Sequence, residues 1–259
     1  MHSWDPDRYL TYADERGRPF VELVARVGAE SPASVVDVGC GPGNLTALLV
    51  ERWPDARVAG LDSSAEMIAK ARETTPSVAF DVADLRDWVT SQAEPVDVLV
   101  SNATLQWVPG HLDLLPALVG RVAKGGWLAF QVPGNFGEPS HTLRTELAAE
   151  APYAQALEGH APHVPSSHDP VVYLRALQEL GCEVDAWETT YLHVLRGEDP
   201  VFTWVSGTGA RPTLQALPDD LRPAFEDEFK RRLRAAYPPG PGGDVVLPFR
   251  RVFVVARVA

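Results

Sequence analysis

Cysteine is scarce in this chain: Cys40 and Cys182 are the only two among 259 residues, and they form no C-x-x-C pair. Neither a disulfide framework nor a zinc knuckle is indicated, and a reduced compartment fits. Positive charge is also short. With 23 Lys and Arg against 35 Asp and Glu, the formal net charge is -12. Such a field repels phosphate backbones and anionic lipid, so neither nucleic acid nor a membrane is an expected partner. No apolar run is long enough to span a bilayer, and the opening "MHSWDPDRYL" lacks the basic and apolar regions of a secretion signal. A cytoplasmic location is therefore expected. The length is ample for a full hydrophobic core in one large α/β domain.

What is present is an alternation. Between residues 33 and 132, apolar runs alternate with amphipathic stretches, as in a parallel sheet with helices on its faces. Strands are expected at "ASVVDVG", "ARVAGLD", "SVAFDVA", "VDVLVSN" and "WLAFQVP". Helices are expected from Leu45 to about Trp53, from Ser64 to about Glu73, and from about His111 to Val122. Ser63 or Ser64 can cap the second of these, with Glu66 at its positive end. The glycines of "AKGGW" are expected to end the third and turn the chain into the fifth strand. Ahead of the sheet, "WDPDRYL" and "PFVELVARV" read as short helices. Residues 133–170, rich in Pro, His and Ser, read as a mobile cover with one helical piece at "HTLRTELAAE". A helix at "PVVYLRALQELG", a strand at "CEVDAWETTYLHVL", two helices within 199–237 and a strand at "VLPFRRVFVVARV" complete the pattern. The two late strands can pair antiparallel at the sheet edge.

The first strand runs into a turn, "VVDVGCGPGN", with Gly39, Gly41 and Gly43. Dinucleotide folds and other nucleoside-binding folds share such a turn. The dinucleotide fingerprint G-x-G-x-x-G is absent, because Asn44 stands three after Gly41, and Pro42 has no amide for a pyrophosphate. Asp37, two residues before Gly39, would repel a pyrophosphate and suits a ligand with an ammonium group; its alternative role is to cap the turn.

The D-x-G-x-G turn, "LDSS" and "VSNATLQW" resemble a class I S-adenosylmethionine-dependent methyltransferase. The resemblance implies a Rossmann-like α/β fold, a mostly parallel sheet with an antiparallel edge strand, capped by helices from amino- and carboxy-terminal insertions. It implies S-adenosyl-L-methionine as cofactor. Gly39, Gly41 and Asn44 would lie along the methionine moiety, with Asp37 near its ammonium. Asp62 would accept from the ribose hydroxyls, Ser63 would reach the same sugar or cap a helix, and Met67 would lie on the adenine face or pack in the core. Asp84 would accept from the adenine amino group beside the Leu85 amide, or be a solvated loop aspartate. Asn102 would touch the methionine end, whereas Gln106 and Trp107 would stand near the transferred methyl; Trp107 can equally plug the core. Methyltransferases acting on nucleic-acid bases carry an Asn- or Asp-Pro-Pro-aromatic turn at this place, which Asn102-Ala103-Thr104-Leu105 lacks.

Beyond the cofactor half, "WDPDRYL", "GRPFVELVARV", "ATLQWVPGH", "PGNFGEPSH", "GCEVDAWETTYLH", "TGARP" and "FRRVFVVA" resemble the trans-aconitate 2-methyltransferase family over nearly the whole chain. The implied substrate is a small tricarboxylate; another small carboxylic acid or specialised metabolite is the alternative. A carboxylate is already ionised near neutral pH and needs no general base, so no catalytic triad is expected and positioning carries the rate. Arg211 and Arg251 are candidates for the unreacting carboxylates, with surface positions as the alternative. Tyr191 and His193 alternate on one strand face and can donate to the same ligand. Trp4 and Tyr9 form a lid over cofactor and substrate, or a hydrophobic staple. His160, His163 and His168 have no acidic or thiol partner at ligand spacing, so no metal is expected. One domain is expected, with residues 30–133 as cofactor-binding core, 1–29 and 134–243 as cap and substrate elements, 244–259 as closing strand, and a monomer as the assembly.

Overall fold

A computed structural model describes residues 17–92, 94–158 and 165–259. The expected helix at "WDPDRYL", with Trp4 and Tyr9, and the residues His160 and His163 lie outside the described residues. By its contacts the chain divides into two compact units, Met1–Val132 with His168–Glu188 and Arg251–Ala259, and Pro133–Ser167 with Thr189–Arg250.

In the first unit α1 (Gly17–Ala25) precedes β1 (Ser34–Val38). Then α2 (Thr46–Arg52), β2 (Arg57–Asp62), α3 (Ala65–Thr74), β3 (Ala79–Val82), α4 (Leu85–Thr90), β4 (Val96–Asn102) and α5 (Leu115–Gly120) alternate, leading into β5 (Val122–Pro133). All five strands expected in this stretch are present. Their valine-rich runs pair parallel, β1 with both β2 and β4, β2 with β3, and β4 with β5. Ser64 is the N-cap of α3, its hydroxyl accepting from the Met67 amide, which leaves Ser63 uncommitted to that role. α4 was not expected: its six residues are too few for a readable period, and its start is fixed by the Asp84 carboxylate accepting from the Arg86 amide.

The glycines of "AKGGW" do not end a helix. The helix stops at Gly120, and β5 already runs from Val122, with the register broken between the Val96–Val122 and Val98–Trp127 partners. Gly126 sits so close to the Asp97 carbonyl that a Cβ would come within 2.7 Å, so the glycines serve an irregular strand rather than a cap.

The remaining elements are α6 (Pro139–Ala148), α7 (Tyr153–Ala156), α8 (Pro170–Glu179), β6 (Glu183–Leu195), α9 (Pro200–Ser206), α10 (Arg211–Ala216), α11 (Arg222–Ala236) and β7 (Val245–Arg257). Three helices, not two, fill residues 199–237. Pro200, Pro212 and Pro223 each stand in a first helical turn, where the missing amide costs nothing, so each restarts a helix. The seven strands order as β3-β2-β1-β4-β5-β7-β6. β7 runs antiparallel to β5, since Val258 bonds Gly125 and Gly126 while Arg250 bonds Gly134, and the expected antiparallel pair at the sheet edge is β7 with β6.

Each unit has its own apolar core. In the first, Leu99, Leu128, Phe130, Tyr173, Val252 and Val254 are fully buried around the central strands. In the second, Phe225 and Phe229 of α11 gather Leu147, Tyr153 and Leu157. The segment after β5, expected as a mobile cover, is thus a source of core side chains.

Candidate active site

Ligands of open α/β sheets bind beyond the carboxyl ends of the strands, where the strand order reverses. Here that point lies between β1 and β4, and the polar residues gather there. Asp37, next to last in β1, is only 2% exposed and accepts a 2.6 Å hydrogen bond from the Thr46 hydroxyl of α2. Burial raises its pKa to about 6; the Thr46 bond opposes the rise, and the negative charge of Asp62 adds to it. Asp62, last in β2, accepts from the Gly41 amide at 3.0 Å and from the Ser64 amide at 2.9 Å. A carboxylate has about four acceptor sites, so two remain for other donors. Burial, helped by Asp37 and Asp62, pushes the Cys40 thiol well above its ordinary range, so Cys40 is not a nucleophile.

The turn glycines divide their work. A Cβ on Gly39 would lie 2.1 Å from the Thr104 hydroxyl, so this residue must be glycine for the β1 and β4 exits to touch. Gly41, at φ +54°, has nothing within 4 Å of where a Cβ would stand. Open space thus lies over a backbone whose amide is held by Asp62, in the turn that follows Asp37. This arrangement disfavours a pyrophosphate and suits a cation with sugar hydroxyls.

The exit of β4 is strained. Ala103 has φ +54°, in the left-handed region, and its amide donates to the Gln131 carbonyl. Proline cannot adopt that φ, so the backbone itself excludes the Pro-Pro turn of base-methylating enzymes. Gln106 is buried and its side-chain amide donates to the Ala103 carbonyl, while Trp107 is 41% exposed and plugs no core. Met67 is 38% exposed, which leaves its face open for a ligand rather than committed to packing. Asp84 is the α4 N-cap, Leu85 is buried, and Asn44 is exposed beside Gly43.

Two further residues join the group from β5 and β7. Asn102 is the register partner of Gln131, and the Arg251 guanidinium donates to the Gln131 side-chain oxygen at 3.2 Å. Arg251 is therefore buried, not on the surface, and belongs to the same strand ends as Asp37, Asp62 and Asn102. Gln131, Thr46 and Thr104 were not anticipated. The available signal for Gln131 was one polar residue inside the apolar run "LAFQVP".

In the second unit, Tyr191 and His193 are both buried and their rings stack at 6.3 Å, as their alternation requires. His193 also stacks on Trp204 at 4.7 Å, which is a packing role whatever else it does. Arg211 opens α10 and is exposed. His168 belongs to the first unit, in ring contact with His111 and Tyr173. Among the described residues, no group of three or more His, Cys, Asp or Glu side chains could hold a metal ion, and no helix is long and apolar enough to cross a membrane.

Comparison with known proteins places this geometry. The family model for a methyltransferase domain matches residues 12–186. The trans-aconitate 2-methyltransferase of Streptomyces avermitilis is 53% identical over 263 residues, covering 98% of this chain and 97% of that one. The chain belongs to the trans-aconitate 2-methyltransferase family. The enzyme of that name from Streptomyces coelicolor is 49% identical and covers 98% of this chain and 86% of its own. Among solved structures, the YcgJ protein of Bacillus subtilis shares the fold, with a TM-score of 0.60 at 11% identity over 92% of this chain and 97% of that one.

Proposed function

We propose that the chain transfers a methyl group from S-adenosyl-L-methionine to one carboxylate of trans-aconitate, giving the monomethyl ester and S-adenosylhomocysteine. The observation that carries it is the extent of the likeness to the curated relatives, which runs through 98% of the chain and so far beyond the cofactor half.

The residues present fit the cofactor. Asp37 and the open Gly41 backbone would receive its amino-acid head, with the Asp37 carboxylate facing the ammonium. Asp62 would accept from the ribose hydroxyls through the acceptor sites its amide partners leave, with Ser63 exposed beside it. Met67 and Asp84 would take the adenine, beside the Leu85 amide. When bound, the cofactor supplies an electrophilic methyl on a sulfonium. The chain has no proton to remove, because a carboxylate is ionised near neutral pH. Its work is to hold one carboxylate oxygen in line with the methyl and to strip it partly of water, with Gln106 and Trp107 at the β4 exit as positioning groups. Tyr191, His193 and Arg211 of the second unit, and Trp4 and Tyr9 outside the described residues, enter this reading from the family resemblance alone.

The test is a methyl-transfer screen over the aconitate isomers, citrate, isocitrate and itaconate, with product mass measured. A rigid alkene fixes the directions of three carboxylates, so trans-aconitate should give the highest kcat/KM and the cis isomer a much lower one. Equal values for both isomers point instead to a less selective carboxylate methyltransferase.

A further inference from the structure

Gln131 has no apparent business in the core. It is 0% exposed, in a strand whose neighbours Leu128, Ala129, Phe130 and Val132 are all fully buried. Its amide orientation is fixed by chemistry: Arg251 is a donor only, so the atom facing it at 3.2 Å must be the oxygen. The amide nitrogen therefore points elsewhere with two hydrogens, and it is a buried donor with no partner among the described residues. Leaving such a group unmet is costly, and a fold avoids it unless a ligand completes the bond. Its position agrees, at the carboxyl end of β5 and level with Asn102, whose own side-chain oxygen is also buried without a partner among the described residues.

We propose that the Gln131 amide and the Arg251 guanidinium form a carboxylate subsite at the end of β5, holding a substrate carboxylate that does not react. The inference rests on the function proposed above and specifies it. Amide N–H and guanidinium are both donors, so the ligand group must be an acceptor, and a carboxylate has lone pairs enough for both. The held carboxylate is an unreacting one because a cation on the attacking oxygen would stabilise charge that the transition state consumes. A guanidinium by itself sets little direction on an anion. The amide beside it adds a direction, and through direction it discriminates among carboxylate arrangements.

The experiment pairs calorimetric titration of trans-aconitate into the protein–S-adenosylhomocysteine complex with steady-state methylation, for the wild type, Gln131→Met and Gln131→Glu. Gln131→Met keeps the volume and loses the donor. It should weaken trans-aconitate binding and raise KM by about tenfold to a hundredfold, leaving S-adenosylhomocysteine affinity within about twofold. Gln131→Glu keeps an acceptor for Arg251 and turns the free donor into an anion. It should bind trans-aconitate still more weakly, because the new anion repels the substrate carboxylate. Unchanged substrate affinity in either variant overturns the subsite, as does an equal loss of S-adenosylhomocysteine affinity, which would mark Gln131 as structural. A wild-type protein that neither binds nor methylates any tricarboxylate overturns the proposed function and the subsite together, an outcome distinct from both.

Discussion

Asp37 is a buried carboxylate whose proton leaves near pH 6, against 3.8 for the free group, and this has two opposite consequences. A ligand ammonium needs the ionised form. Affinity for S-adenosylhomocysteine should therefore be level above about pH 7 and fall below about pH 6, by up to tenfold per pH unit. Asp37→Asn should flatten that profile and weaken binding by about tenfold to a hundredfold; a variant that retains the wild-type profile would assign the titration elsewhere. For the unliganded chain the sign is reversed. The folded protein holds this proton more tightly than the unfolded one, so the stability it contributes is full below about pH 4 and lost as pH rises through 6, about 3 kcal/mol in all. Thermal melts without ligand at pH 8 should thus show Asp37→Asn more stable than the wild type. Asp62 differs. Its carboxylate also holds the Gly41 and Ser64 amides, so Asp62→Ala should cost about 1–2 kcal/mol of stability as well as cofactor affinity. Equilibrium denaturation alongside calorimetry separates the two losses, and a variant with wild-type cofactor affinity would remove Asp62 from the ribose site.

At the scale of elements, the β1 turn makes a prediction that its glycine spacing alone does not. Gly39 and Gly41 read alike in the sequence, yet a methyl on one collides with Thr104 and on the other meets open space. Gly39→Ala should therefore destabilise the fold by several kcal/mol or prevent folding. Gly41→Ala should cost only the left-handed backbone, about 1–2 kcal/mol, while lowering S-adenosylhomocysteine affinity more than tenfold. If Gly41→Ala binds the ligand normally, the turn is misassigned. The β strands were legible because each carries a dense Val-rich run. α4 was not, because six residues hold under two turns, and three helices rather than two fill 199–237 because Pro200, Pro212 and Pro223 each open a short one.

For the whole molecule the consequential fact is that, among the described residues, each unit gathers an apolar cluster of its own. Every described cofactor candidate belongs to the first unit, while Phe225 and Phe229 anchor the second. Phe229→Ala should remove about 3–5 kcal/mol of stability by opening a cavity in α11 packing, with S-adenosylhomocysteine affinity of the folded protein changed less than threefold. A collapse of cofactor affinity in the folded variant would show that the second core supports the cofactor site directly. The excess of acid does not contradict an anionic substrate, because buried donors beside Gln131 act at contact distance, whereas the net charge of -12 acts through screened solvent.

By itself the sequence determined the alternating α/β pattern, the acidic glycine turn and the exclusion of a dinucleotide, because these depend on residue type and spacing along one segment. It also determined that Tyr191 and His193 share a face, since a strand alternates with period two. Only the tertiary structure decided which glycine packs against Thr104 and which faces open space, that Arg251 is buried, and that Gln131 stands beside it. Gly39 and Thr104 are 65 residues apart and Gln131 and Arg251 are 120 apart, so strand order and register, not local sequence, bring them together. Burial has the same origin: the Asp37 carboxyl is raised to about 6 because the fold takes it out of water and sets the Asp62 charge near it, against the opposing Thr46 bond, and no single segment contains that environment.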